Sequence, residues 1–151
     1  MPQSLANVLI HTVFSTKGRE PYLADKVFRD DAHAYLGGVI KTLKCYPIKI
    51  GGTADHIHLL TTLARTITIA DFIKEVKRAS TYWIQNKDQG PTGFHWQAGY
   101  ASFSVGQSEV HAIVRYIDGQ EAHHQEVSFQ DEYRRLLREH KIEFDEKYVW
   151  D

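Results

Sequence analysis

The sequence predicts an α+β fold, an antiparallel sheet with helices packed on one face, and three observations carry that prediction. Strand-like and helix-like runs follow one another in the order strand, helix, strand, strand, helix, strand over the first two-thirds of the chain. The helical runs repeat their apolar residues at 3.6-residue spacing, whereas the strand runs are rich in β-branched and aliphatic side chains. The second and third strand runs are joined only by Gly51-Gly52-Thr53, which makes them neighbours in a sheet. With 151 residues, 42% hydrophobic and 25% charged, the chain fits a single soluble domain over 1–151 with one sizeable core.

The first strand lies within Asn7 to Ser15, where Val8, Leu9, Ile10, Val13 and Phe14 leave almost no polar face, as in a strand buried on both sides. His11 sits inside it and reads as a satisfied core or edge histidine. Thr16 to Pro21 is a loop that carries Lys17 and Arg19. Lys26 to Leu43 is a helix whose buried stripe is Phe28, Ala32, Tyr35, Leu36, Val39, Ile40 and Leu43. Gly37-Gly38 weakens it by about 1 kcal/mol per glycine, which leaves its end open. Cys45 to Ile50 is the second strand, and Gly51-Gly52 reads as the turn into the third.

Thr68-Ile69-Ala70-Asp71 resembles a capping box and starts a helix that runs to about Asn86. Ile69, Phe72, Ile73, Val76, Trp83 and Ile84 form its core face, and Lys74, Lys77 and Arg78 share another face. Phe94 to Val105 is aromatic and reads as a strand or hairpin. Its rings suit either core packing or stacking on unpaired bases. Ser108 is placed to cap a helix from Glu109 to about His124, with Val110, Ile113, Val114 and Ile117 inward and Gly119 inside it. Tyr116, Gln120 and His123 lie together on the flank of that stripe. Ser128 starts the last helix, with Tyr133, Leu136 and Leu137 inward. Residues 141–151 alternate apolar and charged side chains and read as a tail that docks on the domain or a partner.

Chemistry concentrates at Thr53-Ala54-Asp55-His56-Ile57-His58. Strand side chains alternate faces, so His56 and His58 point the same way, roughly 6.6 Å apart along the strand. Two imidazoles on one rigid face either sit there as surface groups or hold a divalent ion with positions left for substrate. The net charge of −1 provides no global attraction for nucleic acid, so any such binding uses a local patch. One cysteine, Cys45, excludes an intrachain disulfide and suits a reducing cytosol. No run of 18 apolar residues suggests a membrane span, and the N-terminus lacks the pattern of a signal peptide.

The element order is that of a ferredoxin-like (RRM-like) sandwich, whose open sheet face would carry His56 and His58. Here a family resemblance appears. Ala54-Asp55-His56-Ile57-His58-Leu59-Leu60 resembles the histidine–hydrophobic–histidine motif of the single-tyrosine HUH transposases, insertion-sequence enzymes that move DNA as single strands, and of their REP-associated tyrosine transposase relatives. Trp96 to Tyr100 with Phe103-Ser104-Val105 is similar to the segment before that family's catalytic helix. Tyr116-Ile117-Asp118-Gly119-Gln120 matches its tyrosine motif. Glu121, His123, His124, Phe129, Glu132 and Phe144 to Trp150 extend the likeness over nearly the whole chain. Ala54 departs from the pattern, where proline is expected.

The resemblance implies Tyr116 as nucleophile on a C-terminal catalytic helix, with His56, His58 and Gln120 holding Mg²⁺ or Mn²⁺. It implies cleavage and rejoining of single-stranded DNA at hairpin-marked ends through a 5′-phosphotyrosine, by a cytoplasmic homodimer. It also implies phosphate contacts from Lys17, Arg19, Lys74, Lys77 and Arg78. A domesticated relative acting on dispersed repeats fits the same residues. A non-catalytic binding module stacking bases on Phe94, Trp96 and Tyr100, or a nuclease that uses water, fits part of them.

Overall fold

Leu9–Ser15 (β1), Pro47–Gly52 (β2), His56–Thr62 (β3) and Ala101–Val105 (β4) form one antiparallel sheet in the order β2-β3-β1-β4 in the computed structural model, which describes residues 2–151. Lys26–Thr42 (α1) connects β1 to β2, and Ile69–Gln85 (α2) connects β3 to β4. This is the ferredoxin-like order, with β1 and β3 at the centre. All seven residues of β1 are buried, as its unbroken apolar run requires.

Ile10, Phe14, Ile57 and Leu59 point to one face of the sheet and meet Leu36 and Ile40 of α1 and Phe72, Ile73, Val76 and Ile84 of α2. The helix starts follow from their caps. Asp25 accepts from the Phe28 N–H, and Thr68 accepts from the Asp71 N–H at 3.1 Å. Gly37 and Gly38 do not end α1, because the apolar stripe on either side of them continues into the core.

The second face is not open. Val110–Asp118 (α3), Gln120–His123 (α4) and Phe129–Glu139 (α5) follow β4, and α5 packs Phe129, Tyr133, Leu136 and Leu137 on Val13, Ala101 and Phe103. Phe144, Val149 and Trp150 pack on that second core. His56 and His58, expected on an exposed face, are therefore each 0% exposed.

Three local readings are corrected. Gly51 and Gly52 lie within β2, opposite His58 and Ile57, and the turn is made by residues 53–55. A Cβ on Gly51 would stand 2.6 Å from Ile117 Cγ2, and one on Gly52 2.3 Å from the His56 carbonyl oxygen. Both glycines thus serve close approach rather than chain reversal. The helix expected from Glu109 to His124 breaks at Gly119, whose φ of −86° and ψ of 11° leave the helical region. Ser108 does not cap it. The chain instead makes a 3₁₀ turn over Gln107–Glu109, and Glu109 Oε1 accepts the Gly106 N–H at 2.8 Å.

The aromatic run forms a strand only from Ala101. Phe94 and Trp96 are buried, with Trp96 edge-on to Phe14 at 5.0 Å and donating through Nε1 to Ser80 Oγ at 2.9 Å. The core-packing reading thus holds for both rings, and only Tyr100 of the three stacking candidates stays exposed. Lys77 fastens the segment after Trp96, its ammonium donating to the carbonyls of Gln97, Ala98 and Gly99 at 2.8, 3.2 and 2.7 Å. Cys45 is buried and unpaired, and no helix among the described residues is long and apolar enough to cross a membrane.

Candidate active site

β3 begins at His56, and its pleat sends the rings of His56 and His58 to the face covered by α5, with centroids 5.2 Å apart. Each ring is braced from behind. Asp55 Oδ1 lies 2.8 Å from His56 Nδ1, and Thr53 Oγ1 lies 3.0 Å from the same nitrogen. His11 Nε2, from the neighbouring central strand, lies 2.8 Å from His58 Nδ1, and the two rings stack. His11 is thus a satisfied core histidine whose partner is one of the candidate ligands. Burial pulls His11 down to about 3 and His58 to about 4, so both are neutral at pH 7. The Glu132 carboxylate pushes His58 the other way without overcoming burial.

The turn at Gly119 sets Tyr116, on α3, and Gln120, on α4, against these rings. Gln120 Oε1 is 2.9 Å from His56 Nε2 and 3.0 Å from His124 Nε2. The Tyr116 ring stands edge-on to His58 at 5.7 Å. Its hydroxyl donates to Glu132 Oε2 and accepts from Arg135 Nη2 at 3.1 Å. Burial first, then the adjacent Glu132 charge, raises the Tyr116 phenol well above its ordinary range. The group is therefore protonated at rest and needs activation to act as a nucleophile.

The structure thus brings together four residues that the sequence singled out: His56, His58, Tyr116 and Gln120. It adds Glu132, fully buried at their centre. Burial alone would raise this carboxyl, but hydrogen bonds from His124 and His58 hold it well below the usual carboxylate range. His124 moves the opposite way. Burial lowers it, but Glu132 and the Val127 carbonyl, 2.7 Å from its Nδ1, raise it overall.

Beyond its place in the family likeness, Glu132 left a signal in the sequence. Phe129, Glu132, Tyr133, Leu136 and Leu137 lie at helical spacing, so an acid interrupts an otherwise apolar stripe. An acid on a buried face needs a partner.

The donor set fits a divalent cation on an observation of its own. In the tautomer whose Nδ1–H is taken by Asp55, His56 Nε2 carries the lone pair. That lone pair faces Gln120 Oε1, and the amide is oriented by its own N–H donation to Glu132 Oε2 at 3.0 Å. Turning the amide over would set its oxygen against the carboxylate instead. In that tautomer either amide orientation sets two acceptors against each other in a buried site, a contact that a cation resolves. His123 Nε2 is also buried without a hydrogen-bond partner, 3.2 Å from Glu132 Oε2. Imidazole nitrogens with amide and carboxylate oxygens suit Mg²⁺ or, better, Mn²⁺.

The basic residues lie apart from this cluster. Lys17 and Arg19 line a cleft of about 650 Å³ with His95, Trp96, Gln97, Ala98, Trp150 and Asp151. Arg19 stacks over Trp150 at 5.5 Å, and Arg134 lies over the same ring at 5.1 Å. On α2, Lys74 is exposed, Arg78 pairs with Glu75 at 2.7 Å, and Lys77 spends its donors on backbone carbonyls.

The sequence model described as "Transposase IS200 like" matches residues 4–120. Among solved structures, the chain is similar to a transposase of Deinococcus radiodurans R1. The TM-score is 0.59 and the identity 23%, over 80% of this chain and 95% of that one. It is also similar to a REP-associated tyrosine transposase bound to a REP hairpin. There the TM-score is 0.61 and the identity 14%, over 84% of this chain and 74% of that one. No curated protein matches the chain.

Proposed function

The chain belongs to the IS200-like transposase family, and we propose that it is a metal-dependent endonuclease and strand transferase acting on single-stranded DNA at hairpin-marked ends. The observation that carries this reading is the meeting of the Tyr116 hydroxyl with the His56–His58 pair and Gln120 in one buried cluster. The hairpin in the REP-associated relative supports the substrate class.

His56, His58 and Gln120 would hold Mg²⁺ or Mn²⁺, which would polarise the scissile phosphate, offset charge on its oxygens and orient it for in-line attack. The chain's own residues do the rest. Asp55 and His11 fix the imidazoles in ring position, and Asp55 also fixes the tautomer that leaves His56 Nε2 free. Arg135 donates to the Tyr116 oxygen while Glu132 accepts its proton's hydrogen bond, so the nucleophile is aimed before substrate arrives. Tyr116 Oη attacks phosphorus, and the bond from phosphorus to the 3′ oxygen breaks. The 5′ side stays on Tyr116 as a phosphodiester, and the departing strand ends in a 3′-OH. A later 3′-OH reverses the step and joins new ends, so no nucleotide cofactor is required. The reading includes a homodimer in the cytoplasm and phosphate contacts from Lys17, Arg19, Lys74 and Arg78.

A denaturing-gel assay tests it, with protein and single-stranded hairpin DNA from its genomic flanks, with and without Mn²⁺. A metal-dependent covalent band lost in both Tyr116→Phe and His58→Ala is expected. Cleavage without a covalent band would replace this mechanism with hydrolysis by water. A band that survives Tyr116→Phe would assign the nucleophile to another residue.

A further inference from the structure

We propose that Glu132, brought in by α5, is a fourth and anionic ligand of the divalent cation, and that its second oxygen ties the bound cation to the position of Tyr116. The inference rests on the metal reading above and concerns a residue outside the His56–His58–Gln120 set.

Position is the first argument. Glu132 is 0% exposed, and its Oε1 lies 3.2 Å from His58 Nε2 and 3.7 Å from His56 Nε2. The ligand atoms of His56, His58 and Glu132 all fall within 4.8 Å of one another. Around an ion with bonds of about 2.1 Å, ligand atoms are separated by about 3 Å when adjacent and about 4.2 Å when opposite. The observed separations need little adjustment to reach that range.

Charge is the second. A buried carboxylate costs several kcal/mol unless a cation compensates it, on the order of what is measured for buried ions generally. Among the described residues, no lysine or arginine lies within ion-pair distance of Glu132; its close neighbours are imidazoles, the Gln120 amide and the Tyr116 hydroxyl. His124, at 3.1 Å, and His123, at 3.2 Å, offer competing charge only when protonated.

Support is the third. Ser128 caps α5 one turn earlier, and Phe129 stacks on the His56 ring at 4.3 Å. Tyr133, Leu136 and Leu137 bury the following turn. The carboxylate is therefore fixed in place by the second core.

The two oxygens divide the work. Oε1 faces the histidines, and Oε2 accepts from the Tyr116 hydroxyl and the Gln120 amide. Loading the cation thus sets the nucleophile through one carboxylate. An anionic ligand also raises affinity while leaving the ion less charged towards the phosphate than three neutral ligands would.

Intact protein titrated with Mn²⁺ alone, by calorimetry and by EPR of the bound ion, tests the assignment without reference to activity. Wild type, Glu132→Gln and His58→Ala are compared, and each is melted with and without Mn²⁺. One ion per chain is expected in wild type, with binding lost in His58→Ala. In Glu132→Gln, binding is weakened on the order of 100-fold and the Mn²⁺-induced rise in Tm is lost. Metal-free Glu132→Gln is expected to melt at or above wild type, because a buried anion has gone. Unchanged Mn²⁺ affinity in Glu132→Gln beside loss in His58→Ala would overturn the inference and leave the three-ligand site standing. So would a lower metal-free Tm with an intact Mn²⁺ shift, the signature of an acid that serves only as partner to protonated His124. Absence of Mn²⁺ binding in wild type would instead overturn the metal reading itself. If Glu132→Gln does not fold, Glu132→Asp keeps the charge and withdraws it by one methylene. Weakened binding is then expected, and unchanged affinity overturns the inference.

Discussion

His33 carries a pH dependence that is separate from the candidate active site. Its Nε2 is buried on α1 without a partner, and burial followed by the nearby Arg29 charge pulls the imidazole from 6.5 to about 4. Between those values the unfolded chain binds a proton that the folded chain does not, so stability is complete above about 6.5 and falls as pH drops towards 4. His11, at about 3, and His58, at about 4, act in the same direction. Urea unfolding at pH 7 and pH 5 is expected to show a lower midpoint at pH 5, and His33→Gln is expected to recover part of the loss. An unaltered loss in that variant would exclude His33 as a contributor. At this scale the pair His56 and His58 was legible because a strand's two-residue period alone puts them on one face. Gln120 was legible through the family's tyrosine motif, four residues after Tyr116. Glu132 was named only within the wider likeness and its place in the site was not legible, because nothing local connects it to a strand 74 residues earlier. Its meaning appears only once α5 lies on the sheet, although an acid inside an apolar stripe was visible.

Among the elements, the contact between β2 and α3 decides where Tyr116 stands. Gly51 lets Ile117 settle against the strand, and a Cβ there would also stand 3.0 Å from the Ile117 carbonyl oxygen. Lys49–Asp118 and Arg29–Glu121, both 2.5 Å, tie the end of α3 and the start of α4 to β2 and α1. Gly51→Ala is expected to push α3 outward, destabilise the fold by about 1–3 kcal/mol in denaturant unfolding and reduce adduct yield. Wild-type stability in this variant would mean that the helix yields without cost. The order of strands and helices was readable from periodicity alone. Two details were not, for steric reasons. Gly-Gly is a strong turn signal, but here it answers a helix that is distant in sequence. The spacing of Tyr116, Gln120 and His123 carries the helical period through Gly119 as though the helix did, whereas the backbone bends there to deliver Gln120.

For the molecule as a whole, a net charge of −1 leaves any DNA recognition to local cations. The cleft beside Lys17 and Arg19 has an indole wall, Trp150, stacked by two guanidinium groups. Replacing Lys17 and Arg19 together by alanine is expected to flatten the dependence of log affinity on log salt for a single-stranded hairpin by about 1.4, or about 0.7 per phosphate contact. Fluorescence anisotropy over a salt series measures it, and an unchanged slope would move the backbone contacts elsewhere. The second core has a different consequence. Every hallmark residue, from His56 to Gln120, lies inside the span 4–120 that the family's sequence model matches, yet the wall over the histidines is built by residues 129–137. A gene copy interrupted between those stretches would still carry all the hallmarks while encoding a product whose histidine pair stands open to water. Genome surveys that score copies as intact by histidines and tyrosine alone would count such remnants among the living.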